Sequence, residues 1–264
     1  MSGITLRLEE PRDYRAVEEL TREAFGADSG SCDEHLLAHK LRKISGFVPE
    51  LDYVAEIDGE LAGNILYSKS KIVSDSGIET EVLTFGPLSV LPKFQNLGVG
   101  KALIRRTISE AKRLGYRAVV IFGHPDYYPR SGFRRAAEFG LTTPDGETFD
   151  AFMALPLYDG ALDGVSGRFY EDKVYHSLGE EELADFEKNF TPKEPPVWTP
   201  IEALYQRLSP KARDALSAKF KDVRVLRDLT GISQDEMSSL ADIDADEISI
   251  IKAVMRENGY RWGK

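Results

Sequence analysis

Residues 88–114 constrain this chain more than any other stretch: an apolar, strand-like run, a turn at Pro92, a loop with Gly98 and Gly100, then a long amphipathic helical pattern. A glycine-punctuated loop that opens a helix turns several backbone N–H groups one way, at the positive end of the helix dipole, and so makes an anion cradle. Here the loop Gln95, Asn96, Leu97, Gly98, Val99 and Gly100, leading into Lys101, is either such a cradle or a glycine-softened strand-to-helix turn that binds nothing. Gln95 adds a side-chain donor; Lys101 either adds charge to a phosphate or is a solvated lysine of the first helical turn. The better-known phosphate loops do not fit. A Walker loop needs glycine where Gln95 stands and a hydroxyl where Ala102 stands, and a dinucleotide fingerprint needs a third small residue at Leu103.

The surrounding pattern tells what such a loop is mounted on. Ile4–Leu8 alternates as a strand does, and Pro11 and Asp13 open a helix with Tyr14, Val17, Leu20, Ala24 and Phe25 on one face. Residues 26–33 read as a loop and 33–43 as a second helix. Strands follow at Tyr53–Ile57 and 61–73, joined by the hairpin signal Asp58-Gly59. Gly63 and Asn64 predict a bulge or a close backbone approach. In the strand 80–90, Gly86 and Pro87 predict a bulge or splay, because proline has no N–H to give a central ladder. That would leave unpaired backbone groups beside the cradle. Past the long helix and its stop at Gly115, Ala118–Phe122 reads as a buried strand, 123–133 as a short turn or helix, and 138–141 and 149–155 as strands. Together these make a mixed sheet flanked by helices and ending near Pro156, with room for one edge strand within 157–170.

Composition limits what this sheet serves. Hydrophobic residues at 42% and charged residues at 30% are those of a soluble globular protein, and no apolar run is long enough to cross a bilayer, so no membrane partner is expected. The start of the chain carries acidic residues and a helix signal where a secretion signal has an apolar core, which predicts a cytoplasmic location. The single cysteine, Cys32, excludes an internal disulfide and a multi-cysteine metal site. His35 and His39 stand at helical spacing without the glutamate of a zinc-protease motif, so no metal is expected. A net charge of −10 argues against general nucleic-acid binding and favours a cationic small molecule or a basic peptide.

The loop at 88–114, the interrupted strand before it and the later Tyr-x-x-x-Gly-Phe at Tyr128 to Phe133, in that order, resemble the GNAT acyl-CoA-dependent N-acetyltransferase superfamily. The resemblance covers roughly residues 4–156, and the wording GHPDYYPRSGF looks like the bacterial branch of predicted acetyltransferases. It implies an α+β fold with a mixed, mostly antiparallel sheet, flanking helices and a splayed central strand pair. It also implies acetyl-CoA as co-substrate. Leu88, Ser89 and Val90 would hold the pantetheine arm, which lies like an extra strand in the splay after Gly86-Pro87, and Gln95 through Lys101 would cradle the pyrophosphate. An amide-bearing arm there would satisfy the unpaired strand groups.

The reaction so implied moves an acetyl group to a primary amine of a small molecule or peptide by direct attack on the thioester. It needs a neutral amine, a polarised carbonyl and a proton for the departing thiolate. Tyr128 matches the family tyrosine that protonates the sulfur, although Pro129 alters the short helix that aims it and leaves Tyr127 in competition. For a base, His124 just past the buried strand has a suitable unperturbed pKa. Glu56, Glu81 and Asp126 are alternatives, Asp126 also reading as the N-cap of the tyrosine helix. Arg130, Arg134 and Arg135 either touch nucleotide phosphates or form a solvated patch. The other class of function compatible with the pattern is a non-catalytic acyl-CoA-binding sensor or scaffold.

The domain expectation is an N-acetyltransferase domain at 1–170, an acidic helix and Pro-rich linker at 171–200 and an all-α module at 201–264. In the last, helices are predicted at 210–220, 223–230, 234–240 and 247–258, with starts at Ser209-Pro210 and at Ser233 with Glu236. Asp242, Asp244, Asp246 and Glu247 cluster where a DNA-recognition helix would be basic. The module is therefore expected to pack on the catalytic domain or to mediate homodimer or protein-partner contacts.

Overall fold

Alternating apolar residues put one side of each early strand against a core, and pairing follows from that. The computed structural model describes residues 3–29, 32–192, 199–258 and 260. The chain divides into two compact units, Met1–Pro192 and Lys193–Lys264. In the first, strands β1 (Ile4–Leu8), β2 (Tyr53–Ile57), β3 (Glu60–Val73) and β4 (Glu79–Val90) form an antiparallel meander. Asp58 and Gly59 both take positive φ, as a two-residue hairpin turn between twisted strands requires. Next come helix α3 (Val99–Arg113) and β5 (Ala118–Phe122), which lies parallel to β4. Short β6 (Arg134–Arg135) and β7 (Leu141–Thr142), then β8 (Phe152–Pro156) and β9 (Gly167–Tyr170), complete one sheet. Its main order is β1-β2-β3-β4-β5-β8-β6, with β9 joining the far end of β3 to β7.

Two irregularities shape the centre of this sheet. Tyr67 pairs with Phe85 and Ile65 with Leu88, so Gly86 and Pro87 together oppose the single residue Leu66. That is a bulge. Towards it β4 parts from β5: the pair Leu83↔Val119 joins the two strands, and from Phe85 onward β4 has no ladder pair on that edge among the described residues. The second irregularity is a close approach at Gly63, where a Cβ would stand 2.6 Å from the Ser89 carbonyl oxygen and 3.0 Å from Val99 Cγ1. Backbone cannot yield as a side chain does. Gly63→Ala is expected to lower the unfolding free energy by about 1–3 kcal/mol, read as a lower urea midpoint at unchanged slope.

Helix α3 covers one face of the sheet because Val99, Leu103, Ile104 and Ala111 recur at helical spacing and are buried against Ile65, Tyr67, Leu83, Phe85 and Val119. Each fully buried Leu or Ile there contributes roughly 1.5–3 kcal/mol. The Tyr67 hydroxyl, wholly buried, is satisfied by Thr107 Oγ1 at 2.9 Å. Helices α1 (Tyr14–Ser29) and α2 (Glu34–Leu41) take the opposite face. Thr21 of α1 accepts a hydrogen bond from Ser89 Oγ at 3.1 Å, whereas Leu88 and Val90 pack with the α3 cluster. Helix α4 (Glu180–Glu187) belongs to this unit too: Phe186 packs at 5.4 Å from the His35 ring, and Arg22 pairs with Glu187 at 2.6 Å.

Some predicted elements differ. Helix α1 runs on through Ser29 where a loop was expected from Gly26, because tertiary packing overrides the ~1 kcal/mol helix penalty of one glycine. The expected strand 138–141 is mostly a 3₁₀ turn, Ala136–Phe139, ended by Gly140 at φ 69°. Strand β8 begins only at Phe152. No described helix is long and apolar enough to cross a membrane.

The second unit holds α5 (Glu202–Tyr205), α6 (Pro210–Lys219), a 3₁₀ helix Leu226–Gly231 where an α-helix was expected, α7 (Gln234–Ser238) and α8 (Ala245–Glu257). Leu204, Leu216, Leu226, Leu229, Met237 and Ile251 form its core. Ser209 and Ser233 cap α6 and α7 by accepting from the N–H groups of Ala212 and Glu236. Asp244 accepts from both Asp246 and Glu247 at 2.9 Å. The acidic run thus starts α8, where negative charge meets the positive end of the helix dipole. Most of the Pro-rich segment, residues 193–198, lies outside the described residues.

Candidate active site

The splay and the start of α3 open onto one cleft of about 640 Å³. Its lining includes Leu88, Ser89 and Val90 from β4 and Gln95, Asn96, Gly98, Val99, Gly100 and Lys101 from the loop. Tyr127, Tyr128 and Arg130 line it as well, and Ala24 and Phe25 of α1 close another wall. Gly98 is the N-cap of α3 at φ 88°, a left-handed conformation natural to glycine, and no side chain caps the helix. The first intrahelical bond runs from the Ala102 N–H to the Gly98 carbonyl at 2.9 Å, so the N–H groups of Val99, Gly100 and Lys101 precede the hydrogen-bonded ladder. Gln95 Nε2 donates to the Val90 carbonyl at 3.4 Å, which ties the loop to the strand edge. Lys101 makes no ion pair among the described residues.

The two tyrosines are at different depths. A Cβ at Gly100 would stand 2.5 Å from the Tyr127 hydroxyl, so that phenol lies over the start of α3. The Tyr128 ring packs instead on Gly123 and against Phe85 and Phe133, with centroids 5.7 and 5.6 Å away, next to the Gly86-Pro87 bulge. Burial pushes the Tyr128 phenol well above its ordinary pKa, and the nearby charges of Tyr127 and Glu34 push the same way. It is therefore a neutral hydrogen-bond donor across the physiological range. Tyr127 is raised by burial alone.

Two carboxylates that the sequence reading missed act on the phenols in this part of the sheet. Glu34, the first residue of α2, is pushed up to about 7 by burial and then by the charge of Asp33. Glu171, just after β9, is also pushed up to about 7 by burial; the Thr84 hydroxyl, 3.4 Å from Oε1, opposes the shift. Tyr175 lies over Gly86, where a Cβ would be 3.3 Å from its Cε1, and its hydroxyl shares a 3.0 Å hydrogen bond with Ser68 Oγ. Nothing local marks Glu34 or Glu171 among 44 acidic residues. Only the return of β9 to β3 and the docking of α2 bury them.

Other candidates lie elsewhere. Leu97 is 59% exposed and His124 has a side chain 64% exposed; neither lines the cleft. Asp126 does not cap the tyrosine turn, a 3₁₀ helix (Tyr128–Ser131) without a side-chain cap; its N–H donates to His124 Nδ1 at 3.3 Å. Glu56 is held by Arg7 at 2.7 Å and Glu81 by Lys69 at 3.2 Å. Of the three arginines, Arg130 lines the cleft, while Arg134 pairs with Glu138 and Arg135 with Asp150.

The profile described as Acetyltransferase (GNAT) family matches residues 14–133. The chain is 31% identical over 162 residues to the uncharacterized N-acetyltransferase YhbS of Escherichia coli (strain K12), an alignment covering 61% of this chain and 92% of that one. A crystal structure of the Escherichia coli GNAT family N-acetyltransferase YhbS in complex with CoA is similar, with TM-score 0.60 and 28% identity over 68% of this chain and 95% of that one. A GNAT family acetyltransferase from Brucella melitensis in complex with acetyl-CoA is similar at TM-score 0.52 and 27% identity, over 66% and 99%. The chain belongs to the GNAT acetyltransferase family and is by that membership an acyltransferase.

Proposed function

We propose that this chain transfers the acetyl group of acetyl-CoA to a primary amine of a small molecule or peptide by direct attack on the thioester. The observation that carries this reading is that the strand-free edge of β4, the uncapped start of α3 and Tyr128 all face one cleft. The two similar crystal structures, one in complex with CoA and one with acetyl-CoA, support it. The residues fit such a molecule: the N–H groups that begin α3, with Gln95 and Lys101, suit a pyrophosphate, and the β4 edge at Leu88 to Val90 suits an extended arm with amides. Acetyl-CoA bound there supplies the activated acetyl thioester.

The chain's own groups then divide the work. A β4 backbone N–H at Leu88 donates towards the acyl oxygen, where charge develops. As the amine nitrogen forms its bond to carbon and the carbon–sulfur bond breaks, Tyr128 donates its proton to the sulfur. The surplus ammonium proton passes to the Glu34 carboxylate, and solvent restores both groups.

The test begins with binding. Acetyl-CoA is expected to raise the melting temperature, and a screen of amines is expected to show acceptor-dependent release of free thiol. A protein with no thermal shift at millimolar acetyl-CoA would not support the reading. Gly100→Val, which crowds Tyr127 and the first N–H groups of α3, is expected to weaken acetyl-CoA binding by at least about tenfold by calorimetry.

A further inference from the structure

The face of the sheet opposite α3 carries polar groups unlike those of the acetyl-CoA cleft. Ser68 and Ser70 of β3 and Thr84 and Gly86 of β4 share that face, and Tyr175 lies across it at Gly86. Tyr175 is the neighbour that the two carboxylates share: the charges of Glu171 and Glu34 both act on its phenol, and that of Glu34 acts on Tyr128 as well. The Glu171 side chain is 8% exposed, and its one ion-pair contact among the described residues is His176 Nε2 at 3.4 Å. Glu34 has no lysine or arginine partner among those residues.

Ser70 supplies an independent sign of a ligand. It is 7% exposed, and its Oγ has no hydrogen-bond partner among the described residues. The residue borders a hollow of about 640 Å³ with Glu171 and Asp172, and its buried Oγ lies on the sheet face of Thr84, whose hydroxyl donates to Glu171. The lysines beside them are matched: Lys69 pairs with Glu81 at 3.2 Å and Lys71 with Glu79 at 2.5 Å, leaving Lys173 on the rim. Buried carboxylates without strong cationic partners are costly, and a bound cation offsets the cost.

We propose that the acceptor is a small amine with a second ammonium group, its reacting nitrogen set beside Tyr128 and Glu34 and its distal ammonium held by Glu171 with Ser70. This rests on the acetyl-transfer reading and narrows its acceptor. Both carboxylates, pushed up to about 7 by burial, ionise readily once an ammonium stands against them. The net charge of −10 draws the same class of molecule.

The experiment compares α,ω-diaminoalkanes from propane to octane with the monoamines of the same chain length. Acetyl transfer is followed by thiol release, and amine binding is measured by calorimetry with CoA present. At least one diamine is expected to exceed its monoamine in kcat/KM by roughly 10- to 100-fold, the worth of one charge-assisted contact. Glu171→Gln is expected to bring that ratio near one through KM, with the diamine's calorimetric affinity falling alike; Glu171→Asp restores part of it. The melting temperature of each variant reports its folding. Equal turnover of diamines and monoamines with acetyl-CoA binding intact would overturn this inference alone, as would a Glu171→Gln protein that folds and keeps the preference. Loss of acetyl-CoA binding in the wild type would overturn both readings.

Discussion

Tyr128→Phe is expected to lower kcat for amine acetylation about a hundredfold while acetyl-CoA affinity stays within roughly threefold. The two effects separate because phenylalanine keeps the ring that packs on Phe85 and Phe133 and loses only the hydroxyl. The sign of the pH dependence follows from burial. A phenol raised above its ordinary pKa holds its proton as pH rises, so the wild type keeps its acid through about pH 10 and shows no alkaline loss from this group. Tyr127→Phe makes the contrast. Its hydroxyl lies over Gly100, so its loss is expected to change acetyl-CoA binding more than kcat. Single-turnover rates of the two variants decide the matter, and a Tyr128→Phe rate within threefold of wild type would remove the assigned role.

Arg42→Met is expected to cost about 3–5 kcal/mol of folding free energy. The Arg42 side chain is 4% exposed and sits between the carboxylates of Glu9 at 2.7 Å and Glu18 at 3.4 Å, both buried. Its guanidinium also lies 4.4 Å from the centre of the Tyr14 ring. Removing it leaves the buried Glu9 carboxylate without its cation and Glu18 with His39 Nδ1 at 2.8 Å, a larger loss than the lost contacts alone. Burial and neighbouring Glu9 already push Asp52 upward, so the pocket holds little unbalanced charge. Urea denaturation checks the value, and adding Glu9→Gln to Arg42→Met is expected to recover part of it. A loss below about 1 kcal/mol would mean that water or repacking compensates the acids. The network ties β1 to α1 and α2, the helices that carry Phe25 and Glu34 to the site.

The parts legible in the sequence were those written in local chemistry. Asp58-Gly59 turned the first hairpin, Gly98 took the left-handed start of α3, and Gly86-Pro87 made the bulge, each because few residues suit those backbone positions. The order of strand, loop, helix and tyrosine segment then carried the family. Glu34 and Glu171 were not legible, since an acid's burial depends on what docks over it. Glu171 is buried only because β9 returns to β3 from nearly a hundred residues away in sequence. The segment 138–141 shows the opposite failure: a strand-like composition closed into a turn because Gly140 within it takes a left-handed conformation.

The short ladder between β4 and β5 has a consequence for how this protein can change. Gly86 and Pro87 stand where one residue would continue the register, so losing either would keep Leu88 and Ser89 on their present faces and let β4 run straight along β5. Such a chain would gain hydrogen bonds at the middle of its sheet and close the slot that the proposed transfer uses. On the acetyl-transfer reading, a firmer sheet centre would therefore be gained at the expense of activity.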